Sequence, residues 1–192
     1  MRFSSPTLLA AILPLALLGC SAPTTSARPA NAATTSPLKD PNVLFDRGRA
    51  YAEAGDNTRA EQYFAAAIAS GAKPAVVLPH LLKACVAAGD LRLASEYAEQ
   101  ELSRNPENAR LRFLTGAIYA SIGDRSTARS HLVQAASDLP KDAEVQFMVA
   151  AFFRDNLSDK VVADPYFREY LKLDPDGVHA EEARASLMER VR

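Results

Sequence analysis

Histidines and clustered carboxylates are the side chains of this chain that could catalyse a reaction or bind a metal, and their spacing favours neither. The three histidines, at positions 80, 131 and 179, form no His-Glu-x-x-His pair and no Cys/His cluster. Asp155, Asp159 and Asp164 lie near one another, and we interpret them as solvated charges at helix ends and in a loop. The sequence has no glycine-rich phosphate-binding loop. We therefore predict a protein that is not an enzyme and that binds no cofactor or metal.

The cysteine at position 20 has a more specific chemical context. A positive charge at Arg2 precedes an apolar run over residues 8–18, which ends in Leu17-Leu18-Gly19-Cys20. This arrangement is typical of a secretory signal peptide, and the run is too short for an ordinary transmembrane span. Its last four residues resemble the lipobox of bacterial lipoproteins, which implies cleavage after Gly19 and a covalent lipid on Cys20. The alternative is an ordinary secretory signal with an incidental cysteine.

The resemblance to lipoproteins implies a place in the cell envelope. We expect a signal peptide at residues 1–19 and a lipid anchor on Cys20, which is stable because each buried methylene contributes about 0.8 kcal/mol. The next residue is Ser21 rather than an aspartate. By analogy with enterobacterial sorting, a serine favours the outer membrane, with the protein facing the periplasm.

The composition of the remaining chain fits a folded body on a tether. The full chain has 22 Lys and Arg against 23 Asp and Glu, and no basic run that would indicate a nucleic-acid partner. Residues 21–39 are mostly Ser, Thr, Pro and Ala, which bury too little apolar surface to offset the entropy of ordering. We therefore predict a disordered tether at residues 20–40. The alternative is a binding segment that folds on contact.

A tripeptide that recurs every 34 residues organises the rest of the chain. Its copies are Ala54-Gly55-Asp56, Ala88-Gly89-Asp90 and Ile122-Gly123-Asp124. A glycine at positive φ ends a helix at low cost, and an aspartate can then accept hydrogen bonds from the free N–H groups of the next helix. The spacing therefore predicts a stacked array of helix–turn–helix units.

Alignment on these turns shows a shared pattern of small and aromatic residues. In the first copy the pattern consists of Gly48, Tyr51, Ala60, Phe64 and Ala67, and in the third of Gly116, Tyr119, Ala128, Leu132 and Ala135. The pattern resembles the tetratricopeptide repeat (TPR) family. The second copy is more divergent, and the fourth has Asn156-Leu157-Ser158 in place of the glycine turn. The resemblance implies an all-α, right-handed superhelical solenoid of about four helix pairs, at residues 41–74, 75–108, 109–142 and 143–177.

Two features complete the predicted fold. In residues 178–192, Ala183, Leu187 and Val191 follow one another at intervals of four, with charged residues on the other side. We predict a capping helix there, which shields the last repeat as a solenoid requires. Cys85 occupies the position of Tyr51 and Tyr119, and we predict a buried structural cysteine. A reactive thiol or an intermolecular disulfide is the alternative.

The family resemblance also implies a binding surface. In TPR proteins the first helix of each repeat lines a concave groove, and positions 5, 9 and 12 point into it. Carried onto this chain, these positions supply our groove candidates, which are Phe45, Arg49, Lys83, Val86, Phe113, Phe147 and Arg154. They imply an apolar groove, positively charged toward its first half, that binds a peptide with apolar side chains. The alternative is that the three phenylalanines are covered by neighbouring helices and serve the fold.

These expectations together predict an interaction protein. We expect a membrane-anchored TPR lipoprotein that acts as an adaptor or scaffold in the bacterial cell envelope, where an envelope protein or peptide segment is its partner. The alternative function is an assembly factor similar to the pilotin lipoproteins of type IV pili, which help secretin rings assemble. Pilotins of that class commonly have about six repeats, whereas this chain has about four.

Overall fold

A computed structural model describes residues 39–188, which form nine α-helices and no β-strand. All of these residues belong to one compact unit. The predicted signal peptide, Cys20 and nearly all of the predicted tether lie outside the described residues. The helices are α1 (Pro41–Glu53), α2 (Asn57–Ala69), α3 (Pro74–Ala88), α4 (Leu91–Arg104), α5 (Ala109–Ile122), α6 (Arg125–Asp138), α7 (Ala143–Asp155), α8 (Lys160–Leu173) and α9 (Ala180–Ser186).

Eight of these helices form four antiparallel pairs, and each pair occupies one predicted repeat. Each helix packs mainly against its neighbours in the sequence, from α1 with α2 to α8 with α9. The predicted all-α solenoid is confirmed. None of these helices, the longest of which has 15 residues, has the length and apolar character needed to cross a membrane.

The turns within the repeats use the predicted glycines and aspartates. Gly89 and Gly123 end α3 and α5 with φ of 81° and 91°. The Asp124 carboxylate then accepts a hydrogen bond of 3.1 Å from the backbone N–H of Thr127, which caps the start of α6. In the fourth repeat Ser158 replaces the glycine, with φ of 55°, and Asp159 caps α8.

In repeats 1 and 3, close packing of the two helices of a pair depends on a glycine at position 8. A Cβ atom at Gly48 would lie 2.6 Å from two ring atoms of Phe64, and one at Gly116 would lie 2.8 Å from Leu132 Cγ. Because such distances are shorter than any van der Waals contact, only glycine allows α1 and α5 to approach their partner helices this closely.

The core consists of two hydrophobic clusters, which meet in α5. The first cluster fills repeats 1 and 2 and includes Leu111 and Ile118 of α5, whereas Phe113 of the same helix belongs to the second cluster in repeats 3 and 4. Cys85 is fully buried in the first cluster, as predicted. Burial, with smaller contributions from the charges of Glu61 and Asp90, raises the pKa of its thiol to about 12.

The C-terminal cap is shorter than the predicted helix over residues 178–192. Helix α9 covers only seven residues, with Ala183 fully buried, and Leu187 after it is extended. The reason is a competing attachment to α8, because the backbone N–H of Met188 donates to Asp164 Oδ1 (2.8 Å) and its carbonyl accepts from Arg168 (3.0 Å). Val191 lies outside the described residues.

Candidate peptide-binding groove

The first helices of the four repeats line one continuous groove. Three pockets of about 360, 440 and 370 Å³ lie between α1 and α3, between α3 and α5, and between α5 and α7. The first and second pockets share Lys83 and Ala87, and the second and third share Ala117 and Ser121. A ligand could therefore follow the groove across all four repeats without leaving its surface.

The central and third pockets are predominantly apolar. Val86 and Leu114 line the central pocket with 46% and 37% of their surface exposed, and Met148 lines the third with 40% exposed. Pro79, Leu82 and Ile118 complete the apolar lining of the central pocket. Three large apolar side chains thus share one surface and remain accessible to solvent, which is typical of a binding site.

The first pocket has a different, basic character. Arg49 and Lys83 are both exposed there. Arg49 has only a long, solvent-exposed contact of 3.6 Å to Glu53, and Lys83 has no ion-pair partner among residues 39–188. The structure therefore places Arg49, Lys83 and Val86 on the groove surface. Glu53 also lines the first pocket beside Arg49, so Lys83 is the lining cation there that has no ion-pair partner among residues 39–188.

The three phenylalanines do not form an exposed row, and the assignment of two of them, Phe113 and Phe147, to the groove surface is wrong. Phe113 and Phe147 are each only 4% exposed. The Phe147 ring stacks on His179 with 4.0 Å between centroids. Phe45 is half-buried, with its ring 5.7 Å from that of Phe64. Of the two interpretations that the sequence left open, the structure favours a packing role for Phe113 and Phe147.

Arg154, another predicted groove residue, is bound to its own chain. Its guanidinium donates to Asp155 and Glu182, each at 2.6 Å, and to the hydroxyl of Ser186 at 2.6 Å. The hydrogen bonds that Arg154 donates, first to Asp155 and then to Glu182, raise the pKa of Arg154. Because two carboxylates already neutralise it, Arg154 holds α9 against α7 instead of presenting a charge to a ligand.

Two exposed groove residues, Leu114 and Met148, were missed by the transfer of family positions. Both occupy position 6 of their repeats, directly after Phe113 and Phe147, whereas the first two repeats have Asp46 and His80 there. An apolar residue at position 6 in consecutive repeats was the available sequence signal.

A larger cleft of about 620 Å³ lies outside the groove, between α2 and α4. Its lining includes Ile68, Leu78 and Tyr97, and an ion pair of 3.8 Å joins Glu101 and Arg104 at its edge. None of the large, exposed apolar side chains of residues 39–188 lines this cleft. We therefore consider the groove, although its pockets are smaller, the better candidate site.

Glu53 and His80 line the first pocket together with Arg49 and Lys83. Within residues 39–188, no three histidine, cysteine or acidic side chains lie close enough together to hold a metal ion. The groove therefore offers shape, apolar contact and positive charge, which suit recognition of a peptide segment.

Comparisons with known proteins agree with this architecture. The sequence model of the family described as Tetratricopeptide repeat matches residues 26–75 and 83–143, more than half of the chain. YrrB, described as "a TPR protein with an unusual peptide-binding site", has a similar structure with a TM-score of 0.65 and 18% identity, over 77% of this chain and 75% of YrrB. MamA from Desulfovibrio magneticus RS-1 (from residue 41 to its end) has a TM-score of 0.63 and 19% identity, over 73% of this chain and 78% of that one.

A third similar structure is a tetratricopeptide repeat protein from Parabacteroides merdae ATCC 43184. Its TM-score is 0.67 at 19% identity, over 76% of this chain and 58% of that protein. At such identities these structures establish the fold of residues 39–188 and no shared ligand.

Proposed function

This chain belongs to the tetratricopeptide repeat family, and we propose that it is a lipid-anchored adaptor of the bacterial cell envelope that binds an apolar segment of a partner protein. The observation that carries the proposal is the row of accessible apolar side chains in the groove, Val86, Leu114 and Met148. Burying such side chains under a ligand contributes about 25 cal/mol per Å² of apolar surface removed from water.

The distribution of charge along the groove predicts the direction in which the ligand binds. Arg49 and Lys83 can attract an acidic group at the α1–α3 end. At the other end Arg154 is already neutralised by Asp155 and Glu182. We infer a peptide whose apolar side chains fill the central and third pockets and whose acidic group lies beside Lys83. The similar fold of YrrB, with its unusual peptide-binding site, supports a peptide as the class of ligand.

The anchor defines where the groove acts. A lipid on Cys20 would hold the repeats at the membrane through the segment at residues 20–40, whose typical end-to-end distance is about 25 Å if it is flexible. Confinement within this distance raises the effective concentration of the groove for membrane partners. The lipobox resemblance and Ser21 favour the outer membrane, with the repeats in the periplasm.

The groove is tested by in-cell crosslinking, purification of the tagged protein and mass spectrometry, with Val86→Asp and Leu114→Asp variants beside the natural chain. Both side chains are exposed, so a carboxylate in their place should leave the fold intact while opposing an apolar ligand. We expect at least one envelope protein to lose more than tenfold in recovery. The matched control is Val161→Asp, because Val161 is exposed on α8 outside the groove. Recovery that is unchanged in both groove variants would contradict the proposal.

The anchor is tested separately by membrane fractionation and by labelling with a radioactive fatty acid. We expect the natural chain to sediment with outer membranes and to carry the label. Cys20→Ser should lose both properties, because serine offers no thiol for the lipid. Label retained by Cys20→Ser, or a natural chain found only in the soluble fraction, would refute the anchor and leave the groove proposal standing.

A further inference from the structure

The interfaces between consecutive repeats follow one pattern, in which the first helix of a repeat buries positions 3 and 7 at the interface with the preceding repeat. In repeats 2 to 4, position 7 is fully buried Leu81, Thr115 and Val149. Position 3 is equally covered, as Val77, Leu111 and Val145. The same positions in repeat 1 are Val43, which is half-buried, and Arg47, which is exposed. Repeat 1 therefore leaves open a surface that every later repeat covers.

In repeats 3 and 4 a pair of stacked rings lies beside the second helix of the preceding repeat, whereas repeat 2 has Cys85 and Tyr97 at the corresponding positions 11 and 23. In repeat 3, Tyr119 stacks on His131, and His131 Nε2 lies 3.0 Å from Glu99 Oε1 of α4. In repeat 4, Phe153 stacks on Tyr166, which is one residue past position 23, and the guanidinium of Arg129 of α6 lies 5.7 Å from the centre of the Phe153 ring. A side chain of the preceding helix thus contacts each aromatic pair. Glu99 lies beside the histidine of repeat 3, and Arg129 lies near the phenylalanine ring of repeat 4.

The equivalent aromatic pair of repeat 1 lies between two arginines of its own repeat. Tyr51 and Tyr63 stack with 5.2 Å between centroids and 11° between planes. The Arg59 guanidinium lies 5.5 Å from the Tyr51 ring centre, and that of Arg47 lies 6.0 Å from the Tyr63 ring centre. Arg59 also contacts Asp56 at 3.3 Å, but Arg47 has no carboxylate partner among residues 39–188. The surface presents flat apolar rings with uncompensated positive charge.

We propose that this end face, comprising Val43, Arg47, Ala50, Tyr51, Arg59 and Tyr63, is a second docking surface, for a helix of a partner protein. The helix takes the place of a preceding repeat and carries a carboxylate where α4 carries Glu99. Two observations specify this partner. A carboxylate would complement the charge of Arg47, and α4 places Glu99 against the Tyr119–His131 pair.

The segment that precedes α1 does not supply the acidic group. Residues 1–38 contain no aspartate and no glutamate, so the segment before α1 has no carboxylate for Arg47. A purely solvated terminal repeat would also carry polar residues throughout this face, as capping repeats do. Val43 and Ala50 are instead apolar, and with Arg47 they follow one another on α1 at intervals of four and three residues, which places them on one face of the helix. The face combines the apolar contact of an internal interface with one excess sign of charge.

The probe for this surface is a hydrocarbon-stapled peptide with the sequence of α4, Leu91–Arg104, which carries the required carboxylate at Glu99. The staple is needed because an isolated helix of this length is marginally stable in water. Binding to the mature chain (residues 20–192 with Cys20→Ser) is followed by fluorescence anisotropy of the labelled peptide. We expect saturable binding that weakens at least tenfold in Arg47→Glu, and equally with a Glu99→Lys peptide.

A charge exchange distinguishes a direct contact from general loss of fold. Arg47→Glu combined with the Glu99→Lys peptide should regain most of the lost affinity, because the ion pair is restored with opposite polarity. The matched control is Arg92→Glu in the protein, not in the peptide. Arg92 is an exposed arginine on α4, so this variant should leave binding unchanged. Val86→Asp should also leave peptide binding unchanged, which separates this surface from the groove and makes the two proposals fail independently.

Three results would overturn the proposal. The first is no saturable binding of the peptide to the natural sequence, and the second is equal affinity of the natural chain and Arg47→Glu. The third comes from vesicles that contain phosphatidylglycerol. If these bind the chain through Arg47 while the peptide does not bind, the end face recognises anionic lipid and not a helix.

Discussion

Adjacent side chains on α5 have opposite roles in this protein. Phe113 is buried in the core of repeats 3 and 4, with the guanidinium of Arg110 5.2 Å from its ring centre. Leu114 follows it directly and is exposed in the central pocket of the groove. Successive residues on a helix are rotated by about 100°, so one position separates a core residue from a residue exposed in the groove.

Phe113→Ala should therefore destabilise the protein, whereas Leu114→Ala should chiefly weaken ligand binding. Removing a buried phenylalanine ring costs about 3–5 kcal/mol, because transfer energy is lost and a cavity remains. We expect Leu114→Ala to lower the free energy of unfolding by less than about 1 kcal/mol. Urea denaturation followed by circular dichroism measures both. Similar losses in the two variants would show that Leu114 also belongs to the core.

Cys85 gives the protein a specific sensitivity to alkaline pH. Burial raises the pKa of its thiol from 9.0 to about 12, so the folded state keeps it protonated while the unfolded chain ionises near 9.0. The stability that this group contributes is fully present below pH 9 and is lost as the pH rises toward 12. Between pH 8 and 10.5, the natural chain should lose stability more steeply than Cys85→Ala, by up to about 1.4 kcal/mol per pH unit. Parallel curves for the two proteins would contradict this assignment.

The sequence predicted the helix faces better than the individual groove residues. Positions 9 and 12 placed Arg49, Lys83 and Val86 correctly on the groove surface, but position 5 assigned Phe113 and Phe147 to it instead of their neighbours. Periodicity specifies the orientation of a helix only to within about one residue. Which residue of a helix enters the core is decided by packing against side chains that are distant in the sequence. His179, for example, stacks on Phe147.

At the scale of the helices, α1 to α8 were predictable because their signals are local. The glycine at positive φ and the aspartate cap, which recur every 34 residues, each act within a few residues. The end of α9 was not predictable, because the residue that stops it, Met188, binds Asp164 and Arg168 about 20 residues earlier. The error in assigning Arg154 to the groove has the same cause, because its partner Glu182 is 28 residues away in the sequence.

Arg154→Ala should loosen α9 and leave the rest of the solenoid intact. The variant removes the contacts to Glu182 and Ser186, together with a guanidinium that lies 5.3 Å from the Phe167 ring centre. We expect amide hydrogens of α9 to exchange about tenfold faster, with α1–α6 unchanged. Arg125→Ala, at the exposed start of α6, is the control and should not alter α9. Unchanged exchange in α9 would mean that buried Ala180 and Ala183 alone hold this helix.

At the scale of the folded unit, the groove extends over both core clusters. The α1–α3 pocket belongs to repeats 1 and 2, the α5–α7 pocket to repeats 3 and 4, and the central pocket joins them at α5. A ligand that occupies the whole groove therefore contacts all four repeats. By mass action such a ligand stabilises the array as a whole.

The most direct test of the adaptor function is photocrosslinking in the native bacterium, with a photoreactive amino acid at one position at a time. Leu114 and Met148 are the groove positions, and Val161 on α8 is the control, since all three side chains are exposed. We predict that one partner protein crosslinks at both groove positions through a single apolar segment, and not at Val161. Crosslinks that are equally abundant at Val161, or absent from both groove positions, would contradict the account.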